Sequence, residues 1–316
     1  MISIFYRNGD RITRDTNINI LVNIESSNLL WIDLIEPTDD EKQRVQQLYK
    51  VNFQSETQIE EIESSSRFLE TDDFIIANSN FLIQENQQYI NEPVSFILKD
   101  NYLITYRYTE LRSFSDVIRK FDTNSRAFPS GYHILVSVFE TRVDMDADLI
   151  EAIARDTNSI SSELNLNRNM REDILFSIAQ FQETTMLLRE NIIDKQRVIS
   201  AMLKSEFFPP ECNQRLRIII KDINSLLYHS EFGFERLEYL QNTFLGLLNI
   251  EQNKIIKIFT VASVVFMPPT LIASLYGMNF KIMPELNWDF GYPFAILLMV
   301  LSVAITLGIF RSKKWI

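Results

Sequence analysis

Eight positions near the C-terminus, Asn253, Ile256, Thr260, Ser263, Met267, Thr270, Ser274 and Gly277, are spaced alternately by three and four residues. In a helix they share one face. Nearly all are small or polar, although the chain around them is apolar. Two kinds of chemistry suit such a stripe. Small residues let membrane helices approach closely. Alternatively, several copies of the helix ring an aqueous path, with hydroxyls and amides replacing water around an ion. The periodicity by itself favours neither. No carboxylate lies in the run, which argues against a proton relay.

Other chemistry is sparse. None of the seven glycines is followed by lysine, so there is no Walker A loop, and neither a G-x-S-x-G elbow nor an H-E-x-x-H helix occurs. His133 and His229 are far apart and read as packing or surface residues. A single cysteine, Cys212, excludes an internal disulfide and any multi-cysteine metal site. As an enzyme the sequence is nearly silent. The first 250 residues hold 25 basic and 39 acidic side chains, a net charge of -14. That balance disfavours nucleic acid, which needs clustered Lys and Arg. It suits metal cations or basic partners, or a solvated acidic surface.

The stripe must be held by a membrane helix. Residues 258–276 and 290–310 carry no charge, and each matches the roughly 20 residues that cross ~30 Å of hydrocarbon. Only 13 residues, 277–289, separate them, which predicts a tight hairpin. Lys254 and Lys257 precede the first span, and Arg311, Lys313 and Lys314 follow the second. The positive-inside rule then places both termini in the cytoplasm and the short loop outside. Trp288 and Trp315 are the expected interfacial anchors. The opening MISIFYRNGD has neither signal-peptide nor transit character, so the N-terminus is expected to stay cytoplasmic.

Upstream, residues 1–140 read as mixed α/β. Strand patterns occur at 29–34, 74–83, 94–98 and 102–106, and Asp100-Asn101 marks a hairpin between the last two. Thr38-Asp39-Asp40-Glu41 is a capping box that predicts a helix to about Tyr49. Another helix is expected around 57–66. From about Ser137 apolar residues recur every three or four positions, first from Leu149 to Leu164 and then from Ile174 to Leu203. Phe207 to Pro210 breaks this pattern. A further run begins near Glu211 and meets no proline until Pro268. If helical to residue 276 it is roughly 100 Å long at about 1.5 Å per residue, a rod that should project from its domain.

The first span ends in Tyr276-Gly277-Met278-Asn279-Phe280, followed by Met283-Pro284-Glu285-Leu286 and Gly291-Tyr292-Pro293. In this setting the triplet and the M-P-E-L segment resemble the signature of the CorA magnesium and cobalt transporters, most closely the proteobacterial subgroup. Asn249 to Lys254, Met267-Pro268-Pro269-Thr270, Trp31-Ile32-Asp33-Leu34 with Glu36-Pro37, and Ile59 to Glu63 leading to Arg67-Phe68 extend the likeness over essentially the whole chain. Zinc-transporting members have Ile at the middle of the triplet, so Met278 favours the magnesium branch.

The resemblance implies a funnel-shaped homopentamer. Each subunit would have an α+β cytoplasmic domain (1–140), long helices including a stalk (141–257) and a pore-lining first span (258–276). An external loop (277–289), a second span (290–310) and a basic cytoplasmic tail (311–316) would follow. It implies an outer ion ring at Gly277, Met278 and Asn279. Ser274, Thr270, Met267, Ser263, Phe259, Ile256 and Asn253 would follow inward, with Glu285 and Asp289 attracting cations at the mouth. Family members close when intracellular magnesium binds acidic residues between neighbouring subunits. Here the candidates are Asp72, Asp73, Asp144, Asp146, Asp148 and Asp222, with plain surface solvation the competing reading.

The implied function is passive, gated influx of Mg2+, with Co2+ and Ni2+ as further cargo, across the cytoplasmic (inner) membrane. No cofactor beyond the transported and regulatory ion is expected, and no nucleotide or nucleic-acid partner. The alternatives are a zinc, cobalt or nickel transporter of the same fold and a membrane-tethered metal sensor that does not conduct.

Overall fold

The computed structural model describes residues 1–54, 67–86, 88–166, 172–279 and 281–313. The helix expected around 57–66, most of the Ile59 to Phe68 motif, Phe280, Lys314 and Trp315 lie wholly or mainly outside the described residues. The chain divides into two compact units, Met1–Gln241 and Asn242–Ile316.

Among the described residues of the first unit, seven strands form one sheet in the order β2-β1-β3-β7-β6-β5-β4. They are β1 (Ile2–Asn8), β2 (Arg11–Asp15), β3 (Leu29–Ile35), β4 (Phe68–Glu70), β5 (Phe74–Glu85), β6 (Gln88–Lys99) and β7 (Tyr102–Arg107). All neighbours are antiparallel except β3 and β7, which run parallel with Trp31 opposite Leu103. The β6-β7 hairpin turns at Asp100-Asn101, where Asp100 takes a φ of 50° and Lys99 pairs with Tyr102. In β3, Leu30 is the extra residue of a bulge, since Phe5 faces Trp31 and Tyr6 faces Leu29.

One sheet face is covered by α1 (Asp39–Tyr49), which buries Val45 and Tyr49 against Ile4, Ile32, Leu34, Ile97 and Ile104. Its start is a complete capping box: Glu41 donates its backbone N–H to Thr38 Oγ1 at 3.3 Å, and Thr38 donates its own to Glu41 Oε2 at 2.9 Å. Satisfying two orphan amides stabilises such a helix by about 1 kcal/mol. Lys50 closes it in the left-handed conformation.

The other face carries α2 (Arg112–Thr123), α3 (Gly131–Leu166), α4 (Glu172–Met202) and the first part of α5 (Pro210–Tyr276). Phe81, Phe96, Phe114 and Phe139 meet at its centre, with ring centroids 5.3–6.2 Å apart. The break between α4 and α5 covers 203–209 and ends at the proline pair Pro209-Pro210, which suits a helix start but not an interior.

Two buried polar networks cross these layers. On β3 and β7, Asp33 accepts from Arg107 Nη2 at 2.7 Å and from Thr105 Oγ1 at 2.7 Å, while Trp31 Nε1 donates to Thr105 Oγ1 at 2.9 Å. The Trp31-Ile32-Asp33-Leu34 motif thus ties the parallel pair together. Between α3, α4 and β5, Asp146 is paired with Arg142 and Lys195, and Asp194 with Arg67 at 3.0 Å and with Ser79 Oγ at 3.2 Å. Arg142 also donates to the Leu82 carbonyl at 2.8 Å.

The second unit contains the end of α5, a short 3-10 turn at Pro284–Asn287, and α6 (Gly291–Ser312). α5 is continuous for 67 residues and keeps its helical course through Pro268 and Pro269. Both α5 and α6 are long and apolar enough to cross a membrane, and their apolar windows are almost wholly exposed. Side chains such as Phe266 (68% exposed) and Leu297 (61% exposed) need lipid or another protein surface around them. A buried core helix would show the reverse.

Candidate functional site

Asn253, Ile256, Phe259, Ser263, Met267, Thr270 and Ser274 all lie on α5, and all are exposed in the single chain. Ser263, Met267, Thr270 and Ser274 are brought to one side, where Phe266 and Leu271 complete a shallow open groove. Two hydroxyls of the stripe are already committed. Thr260 Oγ1 donates to the Ile256 carbonyl at 2.8 Å and Thr270 Oγ1 to the Phe266 carbonyl at 2.7 Å. A hydroxyl whose proton is spent on its own helix has only lone pairs left to offer. Such a group accepts hydrogen bonds from the waters of a hydrated cation and repels no charge.

Pro268 and Pro269 have no N–H, so the carbonyls of Val264 and Val265 lose their usual helical donors. In a membrane such carbonyls are tolerated only where protein or water reaches them.

α5 ends at Tyr276. Gly277 N–H still reaches the Ala273 carbonyl at 2.9 Å and Met278 N–H the Leu275 carbonyl at 3.4 Å, after which Asn279 leaves the helix. Gly277, Met278 and Asn279 are all exposed and sit at the negative end of the helix dipole, which favours a cation. Glu285 and Asp289 are exposed in the loop that follows. Glu285 lies in the 3-10 turn and Asp289 just beyond it. That turn packs on the first turn of α6: Trp288 lies 5.7 Å from the Phe294 ring, and Gly291 N–H donates to the Trp288 carbonyl at 2.9 Å.

The acidic candidates of the first unit divide. Asp72 and Asp73 are exposed in the turn between β4 and β5. Asp144 and Asp148, four residues apart on α3, share an exposed face near Asp222 of α5. Burial, reinforced by Glu140, Asp222 and Asp148, holds the Asp144 carboxyl above its ordinary range, against the pull of Lys120. Asp146 is a correction to the expected group. Its side chain is wholly buried and paired with Arg142 and Lys195, because alternate residues of a helix point to different faces. Among the described residues no group of three or more His, Cys, Asp or Glu side chains is placed to hold a metal ion.

Sequence reasoning passed over Lys195, the partner of Asp146, which is also wholly buried. Burial pushes its ammonium down to about 8, with Asp146 opposing and Arg142 adding to the shift. The visible signal was a lysine in the apolar repeat of α4, between Ile192 and Val198–Ile199.

The profile of the family described as CorA-like Mg2+ transporter protein matches residues 26–313. The chain is similar over its full length, and over the full length of each relative, to two proteins named magnesium transport protein CorA. Identity is 39% to that of Wolinella succinogenes and 36% to that of Escherichia coli K12. Its fold is similar to the complete structure of the CorA magnesium transporter from Methanocaldococcus jannaschii, with a TM-score of 0.83 at 21% identity over 100% of this chain and 99% of the other. With the mixed α/β unit, the long helix and the two exposed apolar helices already described, these matches place the chain among membrane transporters rather than enzymes: it belongs to the CorA-like Mg2+ transporter family.

Proposed function

We propose that this protein is a passive, gated channel for Mg2+ in the cytoplasmic membrane, with five copies arranged so that five α5 helices line the path. The observation that carries this reading is the continuous exposed stripe from Asn253 to Ser274. It leads without a charged residue into Gly277, Met278 and Asn279 at the helix end. Both termini are cytoplasmic, and Glu285 and Asp289 face the outside, where they raise the local cation concentration.

Each step follows from the chemistry of the ion. Mg2+ gives up its waters reluctantly, so a neutral ring of Asn279 amides and Gly277 carbonyls holds the hydrated ion through its shell. A ring of carboxylates would bind it more tightly and slow its release. Further in, the Thr270 and Thr260 lone pairs accept from the moving hydration shell. Phe259 and Ile256, 69% and 53% exposed in the single chain, form a narrow apolar ring that closes the path by excluding water. The inside-negative potential drives influx: a divalent ion gains about 4.6 kcal/mol per 100 mV. Closure follows when intracellular Mg2+ binds acidic side chains between subunits, with Asp144, Asp148, Asp222, Asp72 and Asp73 as the surface carboxylates available.

Ion-resolved flux tests this. Purified protein in liposomes should carry Mg2+, and Co2+ or Ni2+ in competition, when the interior is negative. Preferred Zn2+ uptake would replace Mg2+ as the cargo. Metal binding without any flux would make the protein a sensor and sink the channel reading.

A further inference from the structure

We propose that Gly291 is a positioning residue for cation influx: its bare Cα lets the backbone of Glu285 seat on the first turn of α6, which fixes the Glu285 carboxylate at the mouth. This rests on the transport reading above. The geometry is tight. A Cβ at residue 291 would stand 2.2 Å from the Glu285 carbonyl oxygen and 3.3 Å from its carbonyl carbon. Those atoms are backbone, so no side-chain rotation relieves the clash, and any side chain at 291 must push the turn away. The same contact is braced from both ends. Gly291 N–H donates to the Trp288 carbonyl at 2.9 Å, and Trp288 N–H reaches the Glu285 carbonyl at 3.4 Å. The Trp288 ring lies 6.3 Å from Phe290 and 5.7 Å from Phe294. The 284–290 segment is therefore a folded extension of α6. The carboxylates of Glu285 and Asp289 are carried by the second span, whereas the Gly277-Met278-Asn279 triplet is carried by the first.

The experiment uses the full-length protein in sealed vesicles with the loop outside, and it has two independent readouts. Cleavage after Glu285 by an externally added glutamyl endopeptidase reports seating without any reference to transport. In Gly291→Ala it should accelerate about tenfold or more, because a turn released from its support opens far more often. Mg2+ uptake reports positioning. In Gly291→Ala the half-saturating Mg2+ should rise about threefold or more at low salt while the maximal rate stays near wild type, and the difference should fade as ionic strength rises. Glu285→Gln should show the same rise, and the double variant should be no worse than Glu285→Gln alone. Trp288→Leu, which weakens the seat from the loop side, should repeat both effects if Gly291→Ala expresses poorly.

Wild-type cleavage in Gly291→Ala and Trp288→Leu would overturn the seating. Faster cleavage with unchanged half-saturation, or effects of Gly291→Ala and Glu285→Gln that multiply, would leave Gly291 a purely structural glycine and overturn the positioning role. If the wild type itself carries no Mg2+, the transport reading fails and takes the positioning role with it, while the cleavage result still decides whether the turn is seated.

Discussion

Lys195 Nζ lies 3.1 Å from Asp146 Oδ2, and neither side chain reaches solvent. Among the described residues, Asp146 faces both Lys195 and Arg142, and Asp194 faces Arg67. Burial pushes the lysine down to about 8, with Asp146 opposing the shift and Arg142 adding to it.

The sign of the resulting pH dependence is unusual. Between about pH 8 and the ordinary lysine value of about 10.4, the unfolded chain binds the proton that the folded chain has lost. Stability from this group therefore rises with pH across that window, by on the order of 2 kcal/mol. Cys212, whose thiol burial pushes up to about 11, works in the opposite direction above its ordinary value, as does Tyr49, pushed up to about 12. The test is accordingly a difference. Denaturant unfolding of wild type and Lys195→Met should diverge in favour of wild type from pH 8 to pH 10. A gap that stays constant removes Lys195 from the titration.

Asn279→Ala should reduce Mg2+ uptake to background while the melting temperature of the assembly moves by no more than about 2 °C. The exposed amide supports no core, and surface truncations are usually worth less than about 0.5 kcal/mol. Radiometric or dye-reported uptake beside thermal unfolding in detergent checks both halves. Uptake at the wild-type rate would move the outer ring elsewhere.

Phe259→Gly should raise leak current at high Mg2+. Phe259 is 69% exposed on α5, so its loss opens no cavity in either unit and instead widens the apolar ring. Planar-bilayer recording at high Mg2+ gives the answer directly. Current indistinguishable from wild type would place the constriction at another level.

Millimolar Mg2+ should slow proteolysis of residues 1–241 and suppress current, and sodium at equal ionic strength should do neither. An ion that binds only the closed state stabilises it by about 2.7 kcal/mol per site at a hundredfold excess over Kd. Asp144 and Asp148 with Asp222 are the first carboxylates to neutralise, singly and then together. Equal protection by sodium means screening alone.

Local signals proved the most readable in the sequence. The Thr38 capping box and the Asp100-Asn101 turn act within four residues, and both stand where the pattern put them. The α5 stripe was readable because it is periodic. Two equally local elements were passed over. Gly9-Asp10 makes the β1-β2 turn, with Gly9 at a φ of 62°, and helix α2 carries Phe114, Val117 and Phe121 at helical spacing. Helix α2 gives no start signal because Leu111 at its N-cap makes no side-chain cap. What sequence could not supply was long-range. The partnership of Asp146 with Lys195 spans 49 residues, and the seating of Glu285 on Gly291 depends on how the loop folds back.

The parallel ladder between β3 and β7 has a consequence for synthesis. Trp31 must wait for Leu103, and until then the three strands β2-β1-β3 emerge with one edge of β3 bare. At roughly 5–20 residues per second the intervening stretch of about 70 residues takes some 4–14 s to appear. An apolar edge such as Leu29–Ile35 is a template for wrong pairing throughout that interval. The hazardous moment in the biogenesis of this membrane protein therefore falls in its first hundred residues, well before the ribosome has made either hydrophobic segment for the insertion machinery.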